Sequence, residues 1–301
     1  MTQPVHYATA TAFRQALETR LMNLARAEHV DVQRLRRQVA FDRLLCRLFK
    51  EPMAPWVLKG GYAMELRLTL ARTTRDIDLT LRHQIAGGEK SRNNQILTML
   101  QAAVSVDTGD YFVFLIGEPI MDLEAAPYGG GRFPVEARMD GRIFSKFHLD
   151  VGTGDAVIGP LETVRGRAWL NFAGIDGIEF TAISCNQQFA EKYHAYTLPR
   201  QGRENSRARD MVDMLLLIRH GRLNRARVME ALCQTFDHRR THPLPATIPS
   251  PPASWEKPFA AMANECGLSE KLNQACAVLA EFIHGLSAAE TPSLGTKVPK
   301  P

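Results

Sequence analysis

The chain of 301 residues has no Cys-x-x-Cys pair; its five cysteines, Cys46, Cys185, Cys233, Cys266 and Cys276, are scattered and odd in number. That spacing indicates neither a zinc finger nor a disulfide framework, and it fits a reducing cytoplasm. Long hydrophobic runs are also missing. The apolar stretches at 111–116 and 214–218 fall far short of the roughly twenty residues that cross a bilayer, so no membrane association is expected. The opening MTQPVHYATATAFRQ lacks a basic start followed by an apolar segment, and no signal peptide is expected. Charge of one sign does not dominate. Thirty-seven Lys+Arg against 32 Asp+Glu leave a formal +5, which permits an anionic partner without requiring one. Hydrophobic residues at 45% and charged residues at 23% exclude a disordered or collagen-like chain. The length suits one large or two ordinary domains.

The apolar periodicity changes along the chain. Phe13, Leu17, Leu21 and Leu24, then Leu35, Val39, Leu44, Leu45 and Leu48, recur at three and four, which predicts helices over 10–50. Arg34, Arg36, Arg37, Arg43 and Arg47 fall between them, and Pro52 and Pro55 close this part. WVLK then predicts a short strand, Gly60-Gly61 a tight turn, and 62–70 a short helix. DIDLTL at 76–81 alternates with period two, as a strand does. A helix is expected over 88–104, and strands over 111–118, 133–139, 143–151 and 177–184, with a loop at 129–131. Helices follow over 187–196, 207–220 and 225–235, then a proline-rich connector at 239–258 and a helix to 286 interrupted near Gly267. The expectation is an α+β protein with a helical N-terminal arm (1–52), a mixed-sheet core (53–185), a helical C-terminal lobe (186–287) and a disordered tail (288–301).

The densest chemistry lies in VLKGGYAMELRLTLARTTRDIDLTL. Asp76 and Asp78, two apart on a strand, share one face, while Ile77, Leu79 and Leu81 face the other way. Neighbouring carboxylates repel, and a hard divalent cation such as Mg²⁺ relieves them; a solvated edge strand with an arginine partner is the plainer reading. Gly60 and Gly61 at a helix start allow a phosphate to approach backbone N–H groups, or simply make a turn. Arg72, Thr73, Thr74 and Arg75 place cationic and hydroxyl groups just before the aspartates. In RIFSKFHLDVGTGD, Asp150 alternates with Phe147, Leu149 and Val151, which makes it either a third acid on a neighbouring strand or a turn acid before Gly152. Asp210 and Asp213 lie on one side of an apolar helix and need partners, with Arg207 and Arg209 nearby. Lys192 by default is solvated, and His148 and His194 read as structural or surface residues rather than ligands. Eight arginines between 199 and 229 face only Glu204, Asp210 and Asp213, giving either a nucleic-acid surface or a solvated helical face.

These motifs resemble the nucleotidyltransferase superfamily that shares its fold with DNA polymerase beta. Within it, Leu58-Lys59-Gly60-Gly61, Arg72-x-Thr74-x-Asp76-Ile77-Asp78-Leu79, Glu191-Lys192-Tyr193-His194-Ala195 and Arg207-Ala208-Arg209-Asp210-Met211-Val212-Asp213 look like the AbiEii/AbiGii type toxin nucleotidyltransferases. The resemblance spans roughly residues 30–285. It implies a polymerase-beta-like core and a toxin of a toxin–antitoxin or abortive-infection system. It implies NTP as substrate and Mg²⁺ as cofactor, with Mn²⁺ able to replace it, held by Asp76 and Asp78 and more weakly assigned to Asp150. Gly60, Gly61, Arg72 and Thr74 would hold phosphates, Lys192 would contact the triphosphate, and Asp210 would act as base or orient a neighbour. An acceptor hydroxyl would attack the α-phosphate and pyrophosphate would leave. The 3′ end of tRNA is the leading acceptor, which would block translation, and a cognate antitoxin is the expected protein partner. Transfer to a protein or small molecule, or a non-catalytic nucleic-acid-binding module, are the alternatives. Arg75 departs from the acid or neutral residue found in many members.

Overall fold

The computed structural model describes residues 6–68, 70–123, 126–200, 202–245 and 247–287; the tail expected over 288–301 lies outside them. The chain divides into two compact units, residues 1–69 with 73–184, and residues 70–72 with 185–301.

The first unit opens with α1 (Ala10–Glu28) and α2 (Val32–Leu48). Thr9 and Asp31 start them, their side chains accepting hydrogen bonds from the backbone N–H of Ala12 and Gln33. There follow β1 (Trp56–Lys59), α3 (Gly60–Arg67), β2 (Asp76–Leu81), α4 (Glu89–Val104), β3 (Phe112–Ile116), β4 (Met121–Asp122), β5 (Gly130–Met139), β6 (Arg142–Gly152), β7 (Glu162–Arg165) and β8 (Glu179–Ala182). The strands make one sheet in the order β3-β5-β6-β2-β1-β8-β7, with β4 beside β5. β2 runs parallel to β6 and β1 to β8, and the other pairs are antiparallel. The sheet is therefore mixed and the protein α+β, as expected. Two short strands, β4 and β7, escape the sequence reading. Gly130 and Gly131 begin β5 instead of forming a loop, and Gly60-Gly61 opens α3 directly.

Alternation gives this sheet one apolar face. Ile77 and Leu79 of β2 pair with Leu149 and Val151 of β6, all fully buried. Val39, Phe41, Leu44 and Leu45 of α2, and Ile96 and Leu100 of α4, join the same core. The Phe41 ring meets Tyr62 and Phe147 edge-on. Two arginines of α2 are buried rather than solvated. Arg43 and Arg47 bind the fully buried Asp110 at 2.6 and 2.7 Å, which offsets the cost of taking those charges out of water.

In the second unit, α5 (Cys185–Thr197), α6 (Ala208–His220), α7 (Arg225–Arg239), α8 (Glu256–Glu265) and α9 (Leu272–Ser287) pack together. Every residue of 211–217 in α6 is buried, the mark of a helix enclosed on all sides. The proline-rich segment is anchored by the buried Trp255, whose Nε1 donates to the Asn205 carbonyl at 2.6 Å. Gly267, at φ 66°, lies between α8 and α9, the interruption the sequence predicted. Among the described residues, no helix is long and apolar enough to cross a membrane.

Asp42 on α2 ties the first unit's helices to the segment after β7. Its carboxylate accepts from the Tyr62 hydroxyl, from Arg167 N at 2.8 Å and from Trp169 Nε1 at 2.8 Å. Burial nevertheless dominates these bonds and pushes the carboxyl up from 3.8 to about 6. The folded protein thus keeps this proton to a higher pH than the unfolded chain. The stability it contributes is complete below pH 3.8 and is lost as pH rises through 6, roughly 3 kcal/mol in all. Asp42→Asn imitates the protonated form. Chemical denaturation at pH 4.5 and pH 7.5 is expected to show the variant gaining stability on wild type as pH rises; a gap that does not change with pH would contradict this.

Candidate active site

The sheet face opposite the core carries charge in register. Lys59 on β1 pairs with Asp78 on β2, Asp78 with Asp150 on β6, and Asp150 with Arg132 on β5. Directly paired residues project to the same face, so four side chains form one row with the charge order plus, minus, minus, plus. The next row pairs Asp76 with His148 and His148 with Pro134.

Each carboxylate in these rows has surroundings of its own. Arg132 grips Asp150 with both arms of its guanidinium, Nε to Oδ1 at 2.8 Å and Nη2 to Oδ2 at 2.7 Å, and reaches within 3.7 Å of Asp76. Those Asp150 bonds hold the Arg132 proton more firmly than usual, against the opposing cost of burial. His148 Nδ1 lies 3.2 Å from Asp76 Oδ1. Lys59 pairs with Asp155, just past Gly152 on the same strand path. Asp76 keeps about a third of its side chain open to solvent.

The glycine pair is explained by these neighbours. Gly60 adopts φ 67°, and a Cβ there would lie 1.9 Å from Asp78 Oδ2. A Cβ on Gly61 would lie 2.7 Å from the Thr74 hydroxyl oxygen. Only glycines let the start of α3 come this close to β2 and the residues before it. Lys59 at the N-cap lends no side-chain hydrogen bond to that first turn, whose backbone dipole favours an anion. Glu65 of α3 clamps the same segment by accepting from Thr74 N and from Gln38 Nε2. Burial raises its carboxyl above the usual range, against those hydrogen bonds.

The second unit assembles another set. The Lys192 ammonium donates to Asp213 at 2.5 Å and to Asp210 at 3.4 Å. Arg72 forks onto the far side of Asp213, Nε to Oδ1 at 2.9 Å and Nη2 to Oδ2 at 2.8 Å. Arg207 stands 3.5 Å from Asp210. Burial raises the Asp213 carboxyl, but Lys192 and Arg72 outweigh it and hold the group below the usual carboxylate range. Burial likewise lowers Lys192, and Asp213 with Asp210 more than reverses it.

The structure therefore brings Gly60, Gly61, Thr74, Asp76, Asp78 and Asp150 together in the first unit. It brings Arg72, Lys192 and Asp210 together in the second. Arg72 faces Asp213 rather than standing open for a phosphate, and Asp150 is taken by Arg132. Sequence reasoning missed Arg132, Lys59 and the central place of Asp213. A period-two reading extended one residue earlier, from Phe133 to Arg132, would have put that arginine on the open face, because Arg132, Pro134, Glu136 and Arg138 alternate with buried Phe133, Val135, Ala137 and Met139.

Do these residues suit a divalent cation? Asp76 and Asp78 offer hard oxygens from one face, and the absence of a Cβ on Gly60 leaves room for the Asp78 carboxylate against the start of α3. Among the described residues, no three His, Cys, Asp or Glu side chains stand converged as a ready cage. The pair fits a cation that also draws ligands from its substrate, as Mg²⁺ does.

The protein is a nucleotidyltransferase. Residues 43–281 match the family described as "Nucleotidyl transferase AbiEii toxin, Type IV TA system", and the chain belongs to it. An NTP substrate and an antitoxin partner follow from that membership. Two solved Helicobacter pylori structures are similar. JHP933 is 16% identical over 87% of this chain and 99% of its own, with a TM-score of 0.46. A candidate nucleotidyltransferase of the same organism is 15% identical over 87% of this chain and 100% of its own, with a TM-score of 0.47. No curated protein matches the chain.

Removing Asp213 leaves two buried cations facing each other. Asp213→Ala is expected to cost about 3 kcal/mol in denaturant unfolding. Asp210→Ala should cost well under half of that, because Asp210 shares Lys192 only at 3.4 Å and its other partner, Arg207, is partly exposed. Equal losses would contradict the central place given to Asp213.

Proposed function

We propose that the protein moves a nucleoside monophosphate from an NTP to an acceptor hydroxyl, and that the acceptor is the 3′ end of tRNA. The observation that carries the reading is the contact between Gly60 and Asp78: a glycine-opened helix start lies directly against one of two same-face aspartates. Asp76 and Asp78 hold the cation, with Mg²⁺ the natural choice for oxygen donors and Mn²⁺ able to replace it. When bound, such an ion neutralises the triphosphate oxygens and favours the ionised acceptor hydroxyl.

This chain's own groups do the rest. The N–H groups of the first turn of α3 receive phosphate oxygens, and the Thr74 hydroxyl beside Gly61, which donates to the Asp76 carbonyl at 3.3 Å, would turn to add a donor. His148, at Asp76 Oδ1, holds that carboxylate's orientation. The resemblance of residues 191–195 and 207–213 to the family's motifs supports a part for Lys192 and Asp210 in transfer, with Lys192 serving the triphosphate and Asp210 acting as base or orienting a neighbour. Arg72 fixes Asp213 from its far side and Asp213 in turn holds the Lys192 ammonium, so Arg72 is assigned to Asp213 rather than to phosphate.

The tRNA assignment rests on charge. Of the eight arginines in 199–229, Arg203, Arg209, Arg219, Arg222, Arg225 and Arg227 are exposed. Arg219 is partly committed to Glu270 at 2.7 Å, which leaves the others for phosphate contacts. Nucleotide addition at the acceptor end would prevent aminoacylation and arrest translation in the cytoplasm.

Labelled transfer from each of the four NTPs to purified tRNA tests this. Wild type is expected to label tRNA in the presence of Mg²⁺, and Asp78→Ala to lower the rate by about a hundred- to a thousandfold, the scale of losing a main charge-stabilising group. Label found on protein or a small molecule instead of tRNA would favour the other acceptors. Growth arrest that survives Asp78→Ala would favour a binding module.

A further inference from the structure

The row Lys59–Asp78–Asp150–Arg132 places a cation where a third metal ligand would otherwise stand open. Both Asp150 oxygens are engaged by Arg132, at 2.8 and 2.7 Å, in the side-by-side fork that guanidinium and carboxylate form best. Asp150 is in register with Asp78 on the adjacent parallel strand, so the backbones that carry them lie about 4.8 Å apart. The Arg132 side chain also stands 3.7 Å from Asp76. It thus reaches across β6 to both edges of the carboxylate group, and about a quarter of it remains in solvent, so it has somewhere to go. None of this is needed to hold the sheet: β5 and β6 already pair over most of their length through backbone hydrogen bonds and the buried partners Phe133 and Leu149.

We propose that Arg132 is an internal competitor of the divalent cation: in the nucleotide-free protein it occupies Asp150, and Asp150 joins Asp76 and Asp78 as a cation ligand only when the guanidinium is displaced. The inference rests on the assignment of Asp76 and Asp78 to the cation. Arg132 acts as a positioning residue, through the carboxylate it holds. A guanidinium and a divalent ion both answer the repulsion between Asp78 and Asp150, and they answer it at the same oxygens, so they exclude one another. The site is thereby kept neutralised when empty, and its full ligand set is withheld until it is loaded.

The test is Mn²⁺ binding to the full-length, nucleotide-free protein, followed by electron paramagnetic resonance of the free ion. Arg132→Gln keeps a polar, though shorter, side chain and removes the charge. It is expected to bind Mn²⁺ about tenfold more tightly than wild type, the scale of releasing one charged competitor. Asp150→Asn alone should change the wild-type affinity little, because Asp150 is already occupied. In the Arg132→Gln background the same change should cancel the gain, a non-additivity that reports the two residues as one unit. Arg132→Lys, which cannot form the fork, should fall between wild type and Arg132→Gln, and serves if the glutamine variant does not fold. Unchanged or weaker Mn²⁺ binding in Arg132→Gln or Arg132→Lys overturns the proposal. A Mn²⁺ affinity indifferent to Asp78→Asn in every background is a different failure: it removes the cation site itself, and the competitor with it.

Discussion

Two aspartates, Asp78 and Asp150, sit opposite one another on neighbouring parallel strands, and the register that puts them there is fixed by the core. Ile77 and Leu79 must face Leu149 and Val151 on the buried side, and a slip of one residue would expose all four. The apolar face therefore dictates the collision of charge on the other. At an effective dielectric near 20, two unit charges 5 Å apart repel by about 3 kcal/mol. Lys59 and Arg132 at the two ends of the row, and the start of α3 brought in by Gly60, offset that repulsion from three sides. A face that needs positive charge offers oxygen donors of the kind a divalent cation takes.

The second unit meets a similar problem by a different route. Asp213 stands in the middle of α6, in a stretch where every neighbour is buried. An isolated carboxylate could not stay ionised there, yet Lys192 from α5 and Arg72 close around it and keep it charged. Asp210, one turn earlier, shares Lys192 and adds Arg207. The cost of burying such a cluster exceeds what packing would require, since an apolar quartet of similar size would be at least as stable. The cluster fixes the Lys192 ammonium in one place.

Much of this was legible in the amino-acid order. The helices of 10–50, the strand at 76–81 and the break near Gly267 follow from local periodicity and local breakers, signals that lie within a few residues of one another. The two-residue strand β4 and the four-residue β7 carry too few alternations to stand out. The aspartates of β2 were visible as a same-face pair because both lie on one strand. Their partners were not. Arg132 reaches Asp150 only because β5 folds back antiparallel on β6, and Arg72 reaches Asp213 across 141 residues of sequence. For Asp210 and Asp213 the nearby arginines were the obvious partners. Arg207 does approach Asp210, but Lys192 and Arg72 dominate Asp213. Pairing of this kind is decided by tertiary register, which local pattern does not encode.

The most direct measurement is an anomalous difference map from crystals grown with Mn²⁺ and a non-hydrolysable NTP analogue. A peak bonded to the carboxylates of Asp76 and Asp78, with the triphosphate against the first turn of α3, is the expected result. A peak elsewhere, or a triphosphate bound away from Gly60 and Gly61 with those two aspartates still free of metal, would contradict the account.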